Sequence, residues 1–164
     1  MTRFATLFAG LMLIVCAVSP VSADVGFQGI KVGGGFLWND EVKGPLDATG
    51  GGLHVSVDFQ LSGPISLAPF YEFSRRNSIT STLFGGEFHY NIPVSDKAKF
   101  YVGPGFGAAK AGGSTEFHFN GVGGFKFDLN DRLGLFVQGK YAWAADDLVN
   151  GIAAHGGITF SVMK

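Results

Sequence analysis

The sequence predicts an all-β fold: an eight-stranded antiparallel up-and-down transmembrane β-barrel that follows a cleaved signal peptide. Three observations carry this prediction. Apolar and polar residues alternate with the two-residue period of a strand. The alternating segments are roughly ten residues long, close to the ~9–11 that a tilted strand needs to cross the hydrocarbon layer of a bilayer. The composition sets 26 glycines and 17 phenylalanines beside only 15% charged residues, a mixture suited to small inward positions alternating with bulky outward ones.

At the N-terminus, Arg3 precedes an apolar run from Phe4 to Val18, then Pro20 and the small residues Val21-Ser22-Ala23. This pattern is that of a secretory signal peptide spanning 1–23, with cleavage after Ala23 and a barrel domain over 24–164. The run is shorter than the ~20 residues a spanning helix needs. Leu13-Ile14-Val15 before Cys16 lacks a small residue, which argues against a lipidated cysteine. Cleavage removes the only cysteine, so no internal disulfide forms in the exported domain.

The first strand covers Gly26 to Trp38, with Ile30, Val32, Phe36 and Trp38 on one face and Lys31, Gly33 and Gly35 on the other. Asn39 to Gly50 is a polar loop. In the second strand, Leu53, Val55, Val57, Phe59 and Leu61 alternate with His54, Ser56, Asp58 and Gln60. Ser62-Gly63-Pro64 makes a tight turn. The third strand opposes Ile65, Leu67, Tyr71 and Phe73 to Ser66, Ala68 and Glu72, with Pro69 accommodated by a local bulge. Arg75-Arg76-Asn77 is a short charged loop. The fourth strand sets Phe84, Phe88, Tyr90 and Ile92 against Glu87, His89 and Asn91, and Pro93 ends it.

After a turn at Ser95-Asp96-Lys97, the fifth strand runs from Tyr101 to Ala109. Phe100, Val102, Phe106 and Ala108 share one parity there, and Gly103, Gly105 and Gly107 the other. A loop at Lys110 to Ser114 leads into a long β-hairpin. Its first arm places Phe117, Phe119, Phe125, Phe127 and Leu129 against Glu116, His118, Asn120, Lys126 and Asp128. Its second arm places Leu133, Leu135, Val137, Tyr141 and Trp143 against Gln138 and Lys140, and Asn130-Asp131 between the arms favours the turn. A loop from Ala144 to Gly151 precedes the last strand, where Ile152, Ile158, Phe160 and Val162 oppose His155, Thr159 and Ser161. An even number of hairpin-linked strands closes without an edge, as a sheet in a bilayer must.

Alternation does not itself say which face is outside, because a soluble lipocalin-like barrel alternates too. A soluble exterior would carry dense Lys and Glu, whereas here the polar parity is rich in small residues with scattered charges. An eight-stranded interior is filled by side chains. Lys31, His54, Asp58, Glu72, Glu87, His89, Glu116, His118, Lys126, Asp128, Lys140 and His155 therefore form an enclosed, structural polar network. Trp38, Phe73, Phe84, Phe117 and Trp143 fall at one end of the barrel, and Tyr90, Phe100, Phe127 and Phe160 near the other, as two aromatic girdles at the membrane interfaces.

A net charge of −1 and the lack of a basic stripe exclude nucleic acid as a partner. The four histidines show neither HxxxH nor HExxH spacing, so no metal site and no cofactor is expected. Ser56 or Ser161 with His54 or His155 could be drawn as Ser-His-acid chemistry, but GxSxG is absent, so no catalytic residue is assigned. GVGG at 121–124 lies within a strand pattern and precedes no helix, so it is no phosphate loop.

Tyr101-Val102-Gly103-Pro104-Gly105-Phe106-Gly107 is similar to the YVGAGLG strand of the small eight-stranded outer membrane proteins of Gram-negative bacteria. These are the OmpA/OmpX-like and opacity-protein-like barrels, often grouped as a porin family. Gly121-Val122-Gly123-Gly124-Phe125 leading through Leu129-Asn130-Asp131-Arg132-Leu133 to Tyr141 resembles their strand-turn-strand. The resemblance implies an outer membrane location, with outer membrane lipids and the barrel-insertion machinery as partners and an unidentified surface ligand or host factor. That family commonly finishes on an aromatic residue, whereas this chain ends Phe160-Ser161-Val162-Met163-Lys164. The expected function is structural or surface-interacting, without enzyme activity and without general solute diffusion, for which aqueous porins use about 16–18 strands. The alternatives are a lipid-modifying enzyme on the same barrel and a soluble lipocalin-like barrel holding an apolar ligand.

Overall fold

The computed structural model describes residues 26–39, 49–76, 79–111, 113–144 and 150–162, with side chains throughout except at 37–39, 49–50, 76, 79 and 144. The expected signal peptide and Cys16 lie outside the described residues, as does the segment 40–48. Eight strands follow one another: β1 Gly26–Asn39, β2 Thr49–Ser62, β3 Ile65–Arg76, β4 Ile79–Ser95, β5 Ala98–Ala111, β6 Ser114–Asp128, β7 Leu133–Ala144 and β8 Gly151–Ser161. Each pairs antiparallel with its neighbour in sequence, and the sheet closes on itself. The seam joins β1 to β8 from Gly29 opposite Ser161 to Asn39 opposite Gly151. Closure leaves no free edge, the condition for a sheet in lipid.

Several strands run further than the sequence suggests. Arg75 and Arg76, read as a loop, continue β3 opposite Thr80 and Ile79, and Lys110 continues β5 opposite Thr82 and Thr115. Arg75 and Lys110 have the outward parity, where a charged residue near a strand end costs the ladder nothing. Pro93 does not end β4, which reaches Ser95 through an irregularity between Pro93 and Ser95. Pro69 is tolerated without the expected bulge. The β2–β3 ladder lapses between the pairs Ser56–Phe70 and Phe59–Leu67 and resumes in the same register, so the proline's missing donor falls in a gap. Pro104 does the same in the β4–β5 ladder, between Glu87–Gly105 and Tyr90–Val102.

The turns at one end are tight and held by side chains. Gly63 takes a positive φ of 50° that an L-residue rarely adopts. Asn130 Oδ1 accepts the amide hydrogens of Arg132 and Leu133, both at 2.9 Å, closing the β6–β7 turn as its side chain suggested.

Burial is inverted relative to a soluble protein. Large apolar side chains such as Phe36, Phe88, Phe106, Phe117, Phe119 and Leu135 are exposed on the outer wall, while Lys31, His54, Glu87 and Lys140 are enclosed. The interior is not lined by small residues alone, which corrects the sequence reading: Phe70, Leu83, Tyr101, Val122 and Phe136 also point inward and are buried. Inward glycines make room for them. A Cβ at Gly33 would lie 2.8 Å from Phe136 Cζ, and one at Gly124 would lie 2.7 Å from Tyr101 Cζ, closer than packed atoms approach. These glycines are seats for rings.

Candidate functional site

The lumen holds most of the chain's described polar chemistry. Strand alternation points Lys31 on β1, His54 and Asp58 on β2, Glu72 on β3, Glu87 and His89 on β4, His118 on β6, Lys140 on β7 and His155 on β8 into one enclosed space, where all are buried. Glu116, Lys126 and Asp128 are half-buried toward the ends of β6. Isolated buried charge would be costly, so partners decide the geometry.

Lys140 is the centre. Its ammonium contacts Glu72 and lies 2.6 Å from Glu87 Oε1, and it also stands 3.8 Å from the centroid of the Phe70 ring. Each carboxylate in turn holds a histidine. His54 Nδ1 is 2.9 Å from Glu72 Oε1 and His89 Nε2 is 3.0 Å from Glu87 Oε2, so a carboxylate accepts from one ring nitrogen of each and fixes its tautomer. The order His54–Glu72–Lys140–Glu87–His89 is therefore continuous across β2, β3, β7 and β4.

A second group lies nearer the turn end. Lys31 Nζ is 3.2 Å from Asp58 Oδ1 and 4.3 Å from the centroid of the Tyr101 ring. Tyr101 joins the two groups through its ring, 4.7 Å from that of His89 between centroids; its hydroxyl donates to Gln138 Oε1 at 2.8 Å, and Gln138 Nε2 reaches His155 Nδ1 at 3.5 Å. Toward the loop end Phe70, Leu83, Ala109, Ala111 and Ala142 form one buried cluster, beside the hydroxyls of Ser74 and Ser81 at 3.1 Å from each other. The sequence reading missed this stopper and the ring residues Phe70, Tyr101 and Phe136. Their parity, shared with Glu72, Gly103 and Gln138, was the available signal.

Two constellations could suggest chemistry. His54, Glu72 and His155 each offer a ligand atom, all within 4.8 Å of one another. The site already has its cation, because Lys140 holds Glu72 and Glu72 engages His54 Nδ1. Ser56 Oγ lies 3.2 Å from His54 Nε2, so Ser56, His54 and Glu72 stand in the order of a Ser-His-acid triad. Ser56 is only 2% exposed, and it faces the filled lumen rather than the outer wall.

On the outer wall, Phe73, Phe84, Phe117 and Trp143 lie toward the loop end, and Tyr90, Phe100, Phe127 and Phe160 toward the turn end; all are exposed or half-exposed. The side chain of Trp38 lies outside the described residues. Rings meet in a run across β5, β6 and β7: Phe106–Phe117 at 6.4 Å, Phe117–Phe119 at 4.9 Å, Phe119–Trp143 at 6.2 Å and Tyr141–Trp143 at 5.9 Å between centroids. A solvent-facing wall of this kind would be an aggregation surface.

Among solved structures, the chain is similar to Neisserial surface protein A, at 12% identity and a TM-score of 0.66, over 85% of this chain and 100% of that one. It is also similar to the N-terminal β-barrel domain of Pseudomonas aeruginosa OprF, at 12% identity and 0.64, over 85% and 98%. Ail, the attachment invasion locus protein of Yersinia pestis, matches at 12% and 0.58, over 86% and 100%. No curated protein matches the sequence. The family described as Outer membrane protein beta-barrel domain matches residues 8–160. With its closed eight-stranded sheet, enclosed charges and apolar outer wall, the chain belongs to that outer membrane β-barrel family and resides in the outer membrane of a Gram-negative cell.

Proposed function

We propose that this protein is a closed, non-catalytic barrel whose enclosed polar network is structural and whose role is exerted at the cell surface. The observation that carries this reading is the filled lumen, with ion pairs through its middle and an apolar cluster of Phe70, Leu83, Ala109, Ala111 and Ala142 toward the loop end. A hydrated ion crossing it would have to leave its water in a narrow space where Lys31, Lys140 and the carboxylates of Asp58, Glu72 and Glu87 are already paired with one another. The exposed aromatic residues at the two ends of the wall serve as interface girdles in outer membrane lipid. Short turns and both ends of the described sheet share one end, which faces the periplasm, while the loop end faces outward. Insertion depends on the cell's barrel-insertion machinery. Ail has been solved in complex with the heparin analogue sucrose octasulfate, which supports a surface ligand for a barrel of this shape.

The second reading, a lipid-modifying enzyme, is favoured by one observation, the Ser56–His54–Glu72 alignment. It is disfavoured by the direction of Ser56, since an acyl chain in the membrane meets the outer wall. One preparation tests both readings. The refolded barrel should give no stable open conductance in a planar bilayer, and a fluorophosphonate probe should leave Ser56 unlabelled with no fatty acid released from lipopolysaccharide or phospholipid. Steady conductance would sink the closed barrel, and labelling lost in Ser56→Ala would promote the enzyme.

A further inference from the structure

The outer wall carries almost no charge. Among the described side chains on the outward parity of the eight strands, only Arg75 on β3 and Lys110 on β5 are charged, and both are exposed. Both are basic, both lie at the loop end, and both flank the same strand. Arg75 stands opposite Thr80 of β4, Lys110 stands opposite Thr82 of β4 and opposite Thr115 of β6. Thr80 and Thr82 share one face of β4, so the arc reads Arg75, Thr80, Thr82, Lys110, Thr115 without interruption. At the turn end the basic residues Lys97 and Arg132 lie in the turns beside Asp96 and Asp131, while the outward strand positions, among them Phe27, Leu61, Ile65, Ile92, Val94, Phe127, Leu133 and Phe160, are uncharged. Neither cation has an ion-pair partner among the described residues.

Below this arc sit rings. Phe73 is opposite Thr82, Phe84 is two residues further along β4, and Phe117 is two residues beyond Thr115; Phe73 and Phe117 are well exposed. An arc of two cations and three hydroxyls above a shelf of aromatic rings matches an amphiphile with an anionic head and apolar tails. The strands bearing the two cations lie two spacings apart, about 10 Å, so long Arg and Lys side chains can converge on one phosphate or bracket two. Arginine suits phosphate because its planar fork donates in pairs.

We propose that Arg75 and Lys110, with Thr80, Thr82 and Thr115, form a docking surface for the phosphate groups of a glycolipid of the outer leaflet, whose acyl chains lie along Phe73, Phe84 and Phe117. The proposal rests on the outward-facing loop end given above. The placement makes the bound lipid a fixed neighbour of one arc of the wall, β3 to β6; among the described residues, the outward positions of β8, β1 and β2 carry no charge.

The test uses the full barrel refolded in zwitterionic detergent, titrated with lipid A, with dephosphorylated lipid A and with phosphatidylglycerol, and read by native mass spectrometry as lipid retained per barrel. With each surface cation near an anionic membrane worth about 1 kcal/mol, wild type should retain lipid A about tenfold or more over the dephosphorylated form, and Arg75→Gln/Lys110→Gln should remove that preference. Arg75→Lys should keep most of it, and Lys97→Gln/Arg132→Gln, at the turn end, should keep all of it. Equal retention of phosphorylated and dephosphorylated lipid A, an unchanged double glutamine variant, or phosphatidylglycerol held as tightly as lipid A would each overturn the proposal. Heat-modifiable mobility checks that every variant is folded. Orientation is read apart from this, by labelling the loop end in whole cells, so a wrong orientation and an absent phosphate site give different results.

Discussion

Lys140 stands between Glu72 and Glu87 with its ammonium on both carboxylates, so its loss strands two buried anions at once. Breaking a buried pair by removing one partner costs about 3–5 kcal/mol. Lys140→Met should therefore lower the urea midpoint of the barrel in lipid vesicles clearly, while Lys126→Met, at a half-buried site toward the turn end, should lower it less. Equal midpoints for wild type and Lys140→Met would show that the network carries no stability. The parity of Lys140, Glu72, Glu87 and the four histidines was legible in the sequence, because a charge every second residue within an apolar run can face only one way. Their partners were not legible. That Lys140 meets Glu72 and Glu87, and Lys31 meets Asp58, depends on the stagger of strands far apart in sequence. Phe70, Tyr101 and Phe136 were missed for another reason: size was allowed to outweigh parity, and the inward glycines that seat the Phe136 and Tyr101 rings read only as small.

Strand β7 shows what an element contributes. Its outward face carries Leu133, Leu135, Val137, Tyr141 and Trp143 and its inward face Phe136, Gln138, Lys140 and Ala142, so one strand of 12 residues serves both lipid and lumen. The indole of Trp143, with an apolar body and one N–H, prefers the interface. In a Trp38→Phe variant, the remaining emission should be quenched more by shallow bromine labels on lipid than by deep ones. Deeper quenching would place β7 in a different register against the bilayer, and no quenching would remove it from lipid. The order and parity of the eight strands were legible from alternation alone. Their ends were not, because Arg75, Lys110 and Pro93 look like boundaries by residue type, while the ladder with β4 or β5 holds them in strand. The bulge expected at Pro69 was likewise a local answer to a question settled between strands, by a lapse in the β2–β3 ladder.

At the scale of the whole molecule, the closed sheet reverses the usual arrangement, with apolar residues outside and charges within, and this was legible because the polar faces carry too few charges for a solvent-facing exterior. The segment before the barrel should be removed: the mass of the protein purified from outer membranes is expected to correspond to a chain beginning at Asp24, and a mass retaining 1–23 would show an uncleaved leader. The inward residues have a further consequence, before any barrel exists. Transfer of Asp, Lys or Arg to the middle of a bilayer as helix costs about 2.5–3.5 kcal/mol each, whereas Leu, Ile, Phe or Val returns only about 0.3–0.6. The stretch Leu53–Leu61 carries His54, Asp58 and Gln60 among its apolar residues, most other strands are interrupted in the same way, the uncharged run from Phe100 to Ala109 in β5 is short and bracketed by Lys99 and Lys110, and the mean hydropathy of the chain is only +0.26. No strand is then apolar enough as a continuous segment to be arrested in the first membrane it meets. The charges that later pair around Lys140 thus let an unfolded chain pass through the inner membrane, and membrane affinity arises only when closure turns all the apolar faces outward together.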